Sequence, residues 1–395
     1  MARRKRLADF MPAGLRDVVR NSVRKMHHRY HIRAMNELVS GKTGNLDAIT
    51  AFLRKRAVPL NLPLVLISQV QRSGGSLLSQ LFDSHPALAA YPHELRFGFS
   101  QPDEWPPLNP RLGADENFQL MFDLKLSRLI RRGYVKGGDR IFSSDKGQLV
   151  KRRIPYFRFF LVSRVQYLVF KQLFESKPPK SSRDIFNYFF TGFFNAWLDY
   201  QGDLNDKKCI TAFAPRLVND EARAAAFFAT YPDGRLIQII RDPKTWLPSA
   251  KNHRKSILDG EKTSDLITMW IESAESMLRN KERYGDRVII LSFERLVGNT
   301  EQTMRRLASE LGINYVSVLI EPTFNGNRIQ ANSSFGIDQS EDAEQSGINE
   351  APLSRAAALS TQERQFIDRR CMALYDKVVA KGLNTRPAAQ LVESK

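Results

Sequence analysis

Hydrophobic residues recur along the middle of this chain in two alternating patterns, short apolar runs and longer stretches with helical spacing. The apolar runs predict buried strands, and apolar positions repeated every three or four residues predict helices. Strands are predicted at residues 64–67, 140–143, 209–213, 236–240 and 287–292, and helices near 117–132, 155–175 and 182–201. Strands that alternate with helices favour an α/β fold with a parallel sheet covered on both faces.

The flanking and connecting segments have other patterns. Residues 87–112 hold five Pro residues and Trp105, which predicts a long loop over a site. The polar stretch 338–350 predicts a flexible loop, and residues 359–381 predict one last amphipathic helix. We therefore divide the chain into a basic helical leader (1–56), a core (57–315), and a lid loop with a C-terminal helix (316–395).

Positive charge is concentrated at the start of the chain. The formal net charge is +18, and residues 1–60 hold fourteen Lys or Arg residues against four acids. Such an excess favours anionic partners. Residues 1–35 are therefore predicted either to dock on an anionic membrane surface or to form a solvated basic helix. Nucleic acid is the less favoured partner.

The cysteines and the hydropathy pattern predict a location. Cys209 and Cys371 are far apart in sequence, so neither a disulfide framework nor a zinc site is expected, and a reducing compartment is favoured. Each cysteine is predicted to be a small buried apolar residue. No uncharged stretch reaches transmembrane length, and the basic residues 3–6 lack the apolar run of a secretory signal. We expect a bacterial cytoplasmic protein, either free or peripheral on the inner membrane face.

The first candidate for ligand binding follows the strand at residues 64–67. A loop of Arg72, Ser73, Gly74, Gly75 and Ser76 leads into a helix that begins near Leu77. Strand, glycine loop and helix in this order present backbone N–H groups and a helix N-terminus to an anion. An ordinary turn capped by serine is the alternative. The ending typical of a Walker A loop is missing.

The second candidate lies at the end of the strand at residues 236–240. Arg241 follows this strand directly, Pro243 can begin the next helix, and Ser249 is eight residues beyond Arg241. Ligands of open parallel sheets bind at the carboxyl ends of the strands. A planar guanidinium and a hydroxyl in this place suit a phosphate group.

Together these motifs resemble those of sulfotransferases that use 3′-phosphoadenosine 5′-phosphosulfate (PAPS). Residues 72–76, followed by Asp83-Ser84-His85-Pro86, are similar to the family's 5′-phosphosulfate loop, in the tyrosylprotein and Golgi-type branch rather than the cytosolic one. Residues 241–249 resemble its 3′-phosphate motif. Gln71 replaces the family's proline and Gly75 replaces its first threonine, so one hydroxyl contact is expected to be lost.

The resemblance implies a set of cofactor-binding residues. Phe293 takes the place of a tyrosine whose ring lies near the adenine in the family, and it could stack without donating a hydrogen bond. The expected contacts to PAPS, or to its product adenosine 3′,5′-bisphosphate (PAP), are then made by Arg72, Ser73, Gly74, Gly75, Ser76, Leu77, Arg241, Ser249 and Phe293.

Catalytic roles are also implied. Glu94, in Glu94-Leu95-Arg96, resembles the base of the tyrosylprotein enzymes, whereas the cytosolic enzymes use a histidine, which makes His93 the alternative. Arg72 and Lys146 would neutralise charge on the sulfonate and the leaving phosphate. Arg328, Ser333 and Ser334, near an Asn-Ser-Ser-Phe segment like that of bacterial relatives, would contact cofactor or acceptor. The sequence contains no acidic cluster that would predict a metal site.

The sequence thus predicts a P-loop NTPase-like three-layer αβα fold with a central parallel sheet and helical extensions. The resemblance implies a sulfotransferase that acts on a hydroxyl of a glycan, lipid or small metabolite. Two alternatives stay open. One is a kinase-like phosphoryl-transfer enzyme, disfavoured because the loop lysine is missing. The other is a non-catalytic, basic RNA- or membrane-binding protein on a degenerate form of the fold.

Overall fold

The computed structural model describes the backbone and side chains of most of the predicted core and of the segment after it. The described residues are 51, 55–97, 104–122, 161–255, 263–329, 331 and 347–383, with backbone only for 253–255. The predicted strand at 140–143 and nearly all of the basic leader lie outside them.

A parallel sheet of five strands forms the centre of the fold. Its strands are β1 (Leu64–Ile67), β2 (Leu88–Glu94), β3 (Cys209–Phe213), β4 (Arg235–Ile240) and β5 (Val288–Ser292). Their order across the sheet is β2-β3-β1-β4-β5, and every pairing is parallel. The loop after β1 therefore lies at the middle of the sheet, between the ends of β3 and β4.

Helices cover both faces of this sheet. They are α1 (Gly75–Phe82), α2 (Ala114–Met121), α3 (Ser163–Ser176), α4 (Ser182–Ala196), α5 (Glu221–Thr230), α6 (Pro243–Lys255), α7 (Thr263–Tyr284), α8 (Phe293–Gly298), α9 (Thr300–Leu311), α10 (Thr361–Arg370) and α11 (Met372–Ala380). A short hairpin, β6 (Thr323–Phe324) and β7 (Asn327–Arg328), and a 3-10 helix, Ala351–Ala358, follow α9.

Two hydrophobic cores lie on opposite faces of the sheet, as the alternation along β1 shows. Leu64 and Leu66 belong to a large core rich in aromatic residues from α3 and α4, whereas Val65 and Ile67 belong to a smaller core with α1, α8 and α9. Side chains of a strand alternate between faces, so both faces of β1 are buried. The predicted three-layer α/β fold is confirmed.

Two of the predicted elements are wrong. Residues 88–94, expected within a long loop, form the edge strand β2. The helix expected at 359–381 is broken at Cys371, where φ is −121° and ψ −35°, into α10 and α11. Ile367, Cys371 and Val378 of these two helices all pack in the large core.

The C-terminal segment packs on the core. Helix α11 packs against α7, β4 and β5, and the 3-10 helix of residues 351–358 packs against α6. These contacts bring a segment more than a hundred residues beyond Arg241 back to the carboxyl edge of the sheet.

Candidate active site

Four of the predicted site residues lie at one edge of the sheet. Glu94 ends β2, Arg72 follows β1, Arg241 follows β4, and Phe293 follows β5. All five strands are parallel, so these positions share the carboxyl edge. This is the edge at which open α/β sheets bind their ligands.

The loop after β1 has a constrained backbone. Arg72 has a φ of +70° and Gly74 a φ of +97°, both in the left-handed region. A non-glycine residue in that region is strained and needs support from its surroundings. Trp246 of α6 supplies part of it, because its Nε1 donates to the Gln71 carbonyl oxygen at 2.8 Å, and Nη1 of Arg241 donates to the Arg72 carbonyl oxygen at 2.9 Å.

Arg241 is buried and nearly saturated with hydrogen bonds. Its Nε donates to Thr245 Oγ1 at 3.0 Å, and its Nη2 donates to the carbonyl oxygens of Thr245 at 3.0 Å and Pro352 at 2.9 Å. Together with the bond to Arg72, these contacts use four of the five N–H groups that a guanidinium carries. Burial lowers the pKa of Arg241 to about 9, despite the opposing charge of Glu294. Within the described residues, one N–H of Arg241 is therefore left for a ligand.

Ser249 is the point where two other arginines meet. Its hydroxyl accepts from Arg72 Nε at 3.2 Å and from Arg355 Nη1 at 3.0 Å. Burial and the nearby Arg355 charge lower the pKa of Arg72. No ion pair joins Arg72, Arg241 or Arg355 to a carboxylate among the described residues. Such a cluster suits a phosphate.

Arg355 was missed by the sequence analysis. It lies in the 3-10 helix of residues 351–358, between the predicted flexible loop and the predicted last helix. Its role at Ser249 depends on a contact across 106 positions of sequence. No local pattern indicates such a contact.

Phe293 packs inside the site instead of standing open beside it. The Arg241 guanidinium lies over its ring, 4.4 Å from the centroid. A Cβ atom on Gly74 would lie only 2.6 Å from a ring carbon of Phe293. The ring thus supports both the loop and the buried arginine, and the predicted stacking on adenine stays a prediction.

Gly75 is required by close packing at the start of α1. A Cβ atom there would lie 2.3 Å from a ring carbon of Phe213 and 2.5 Å from Nε2 of Gln69. The threonine found at this place in the resembling family would therefore not fit here. The nearby Ser73 is 1% exposed, and its hydroxyl has no hydrogen-bond partner within the described residues. Ser76 and Leu77 lie in the first turn of α1.

His93 and Glu94 are adjacent at the end of β2, where its pairing with β3 is irregular between Ala90 and Glu94. Tyr91 and Leu95, two residues to either side of His93, both pack in the large core, and His93 is 3% exposed. Glu94 is in register with Phe213, whose ring contacts Gly75. Its carboxylate is held by Arg96 at 2.6 Å. The geometry therefore puts Glu94 on the side of α1 and the loop.

Of the other predicted residues, Lys146, Ser333 and Ser334 lie outside the described residues. Arg328 is exposed and paired with Glu321 at 2.8 Å. Cys209 and Cys371 are buried and free, as predicted, and burial raises the pKa of both thiols.

The Asp83-to-Pro86 segment has a structural role. Asp83 Oδ2 accepts from Thr323 Oγ1 at 3.0 Å and from the Gly326 N–H at 3.1 Å, which fastens the β6–β7 hairpin to the end of α1. The ring of His85 joins the Ala87 N–H to the carbonyl oxygen of Asn314. This part of the resembling motif therefore positions the loop after α9.

Residues 184–317 match the family model described as Sulfotransferase family. The resemblance to sulfotransferases is thereby confirmed over the segment that holds Arg241, Ser249 and Phe293. The loop at residues 72–76, Glu94 and Arg355 lie outside the matched segment. No curated protein matches the chain significantly.

Several solved structures are similar to this chain at low sequence identity. The sulfotransferase domain of the olefin synthase of Synechococcus PCC 7002 is 15% identical, with a TM-score of 0.47, and the match covers 82% of this chain and 96% of that one. The sulfotransferase domain from the curacin biosynthetic pathway is 14% identical, with a TM-score of 0.44, and the match covers 79% of this chain and 98% of that one. Mouse sulfotransferase SULT7A1 complexed with PAP is 10% identical, with a TM-score of 0.36, and the match covers 85% of this chain and 94% of that one.

The described residues contain neither a candidate membrane span nor a candidate metal site. No helix among them is long and apolar enough to cross a membrane. Within the same ranges, no three His, Cys, Asp or Glu side chains are grouped so that they could hold a metal ion.

The packing around Gly75 predicts a specific cost. We expect Gly75→Ala to lower the free energy of unfolding by about 1–3 kcal/mol, because the added methyl group overpacks against Phe213. Gly298→Ala is the matched control, since a Cβ atom there would meet nothing within 4 Å. Urea unfolding of both variants measures the difference, and equal stability of the two would contradict the described packing.

Proposed function

We propose that this protein transfers a sulfuryl group from PAPS to a hydroxyl-bearing acceptor and releases PAP. The observation that carries the proposal is that Arg72, the first residue of the glycine loop, and Arg355 both donate to Ser249 beside the buried Arg241. The family match over residues 184–317 supports it, because the matched segment supplies two of these four residues. PAPS carries a 3′-phosphate and a 5′-phosphosulfate, so its binding requires two anion sites.

In this proposal the 3′-phosphate lies against Ser249. Arg355 and the remaining N–H of Arg241 donate to its oxygens, and Arg72 adds charge from the other side. The 5′-phosphosulfate lies on the loop of residues 72–76, where the backbone N–H groups of the first turn of α1 face it. These donors are fixed before the ligand arrives, so little reorganisation is needed to stabilise charge on the leaving phosphate.

The proposed base is Glu94. As the acceptor oxygen bonds to sulfur, its proton moves to the Glu94 carboxylate and the bond between sulfur and the phosphate oxygen breaks. The ion pair with Arg96 holds the carboxylate on the side of the sheet where α1 begins. Arg72 would stabilise the sulfonate, and the predicted role of Lys146 at the bridging oxygen is part of the proposal. His93 is disfavoured because it belongs to the face of the large core.

The acceptor is proposed as a class, a hydroxyl on a glycan, a lipid or a small metabolite. The excess positive charge of residues 1–35 would hold the enzyme near an anionic membrane surface, on the cytoplasmic side. That arrangement suits a lipid or membrane-borne glycan best. No metal takes part in the proposed step.

The first experiment separates this function from its alternatives. Calorimetric titration of the full chain with PAP, with ATP and magnesium, and with a short RNA should show tight binding of PAP alone. Incubation with labelled PAPS and fractionated cell extract should then label an acceptor. Preference for ATP would favour a phosphoryl-transfer enzyme, and preference for RNA would favour a non-catalytic binding protein.

The arginine cluster predicts the effect of two substitutions. We expect Ser249→Ala and Arg355→Ala each to weaken PAP binding about ten- to a hundredfold, because a charge-assisted hydrogen bond contributes about 1.5–3 kcal/mol. Arg305→Ala removes the same charge from an exposed arginine paired with Glu301, and it should leave PAP affinity unchanged. If Arg355→Ala binds PAP as the Arg305 control does, the 3′-phosphate site is placed wrongly.

The base assignment predicts a separation of turnover from binding. Glu94→Gln should lower turnover about a hundredfold to ten-thousandfold while PAP affinity changes little, because the carboxylate is needed only when the acceptor proton leaves. His93→Gln is the comparison and should retain turnover. Steady-state rates with one acceptor, together with PAP titrations, measure both effects. A dead His93→Gln enzyme beside an active Glu94→Gln enzyme would transfer the role to the histidine.

A further inference from the structure

Gln69 is a buried polar side chain without a partner. It lies between β1 and the glycine loop and is 0% exposed. Neither Nε2 nor Oε1 of its carboxamide makes a hydrogen bond within the described residues. Buried amide groups in native proteins are almost always hydrogen-bonded, and an unsatisfied one is destabilising. Its presence here therefore requires an explanation.

The carboxamide of Gln69 is directed at the start of α1. Its Nε2 lies 2.5 Å from the place that a Cβ atom of Gly75 would take. The backbone of Gln69 is fixed, since its carbonyl oxygen accepts from the Arg216 N–H at 2.9 Å. Helix α1 begins at Gly75, and no side chain caps its N-terminus. The unpaired Gln69 amide thus faces the same small region as the N-terminus of α1.

A second unpaired group lies in the loop itself. The Ser73 hydroxyl is buried, and like the Gln69 amide it has no partner in the described part of the chain. The nearby Arg72 supplies a positive charge. Donors that converge on an uncapped helix N-terminus are arranged for an anion rather than for one another.

We propose that the carboxamide of Gln69 donates a hydrogen bond from Nε2 to an oxygen of the 5′-phosphosulfate. The proposal rests on the function proposed above and assigns it a further binding residue. Gly75 leaves the space that the amide occupies, and the amide supplies the donor that a threonine hydroxyl would supply from position 75. Gln69 and Gly75 therefore act as a pair, in which one residue makes room for the other.

The experiment uses Gln69→Leu, which keeps the volume and removes the hydrogen-bonding groups, with Gln69→Met as a second, unbranched variant. We expect the ligand-free variants to melt at the temperature of the wild type or above it, because an unsatisfied amide has been removed. PAP affinity, or kcat/KM for PAPS if the bond is to the sulfuryl oxygens, should fall about tenfold. A merely structural glutamine would give the opposite result, a lower melting temperature with unchanged binding.

Thr211→Val is the matched control. Thr211 is buried in β3, its hydroxyl is also unpaired in the described chain, and valine has nearly the same shape. PAP affinity and kcat/KM should not change in this variant. If the wild type binds PAP and both Gln69 variants match it in affinity and kcat/KM, this inference is wrong. If the wild type itself fails to bind PAP, the proposed function is wrong.

Discussion

The buried guanidinium of Arg241 is the interaction on which the rest of the site depends. It is 2% exposed, and its hydrogen bonds join the Arg72 carbonyl, the first turn of α6 and the Pro352 carbonyl. Removing a charge from water is unfavourable unless the charge is fully hydrogen-bonded. The need to satisfy this one group therefore fixes three segments, from distant parts of the sequence, at the same edge of the sheet.

The same arrangement would favour an anion at this site. Arg72 and Arg355 both donate to Ser249, so their like charges repel, and burial together with the Arg355 charge lowers the pKa of Arg72. A bound phosphate would relieve this repulsion in the folded protein only. Ligand binding should then stabilise the fold as well as fill the site.

The sequence predicted the parts of the fold that depend on local pattern. Four strands and the residues that follow them were found because buried strands of a parallel sheet read as apolar runs. Strand β2 was missed because Pro92 and His93 interrupt its pattern, although proline is tolerated in an edge strand, which is the place of β2. Arg355 could not be predicted, since its function depends on how the chain returns after residue 347.

The replacement of a threonine by Gly75 shows how a departure from a motif can be misread without coordinates. From the sequence, Gly75 predicts the loss of one hydroxyl contact to the cofactor. In the structure, the Phe213 ring and the Gln69 amide fill the volume in which a side chain at position 75 would lie. In the proposal above, the donor is moved rather than lost, because Gln69, between β1 and the loop, supplies it. A motif comparison treats each position of the sequence separately, whereas an anion binds to whichever donors reach it, wherever they lie in the sequence.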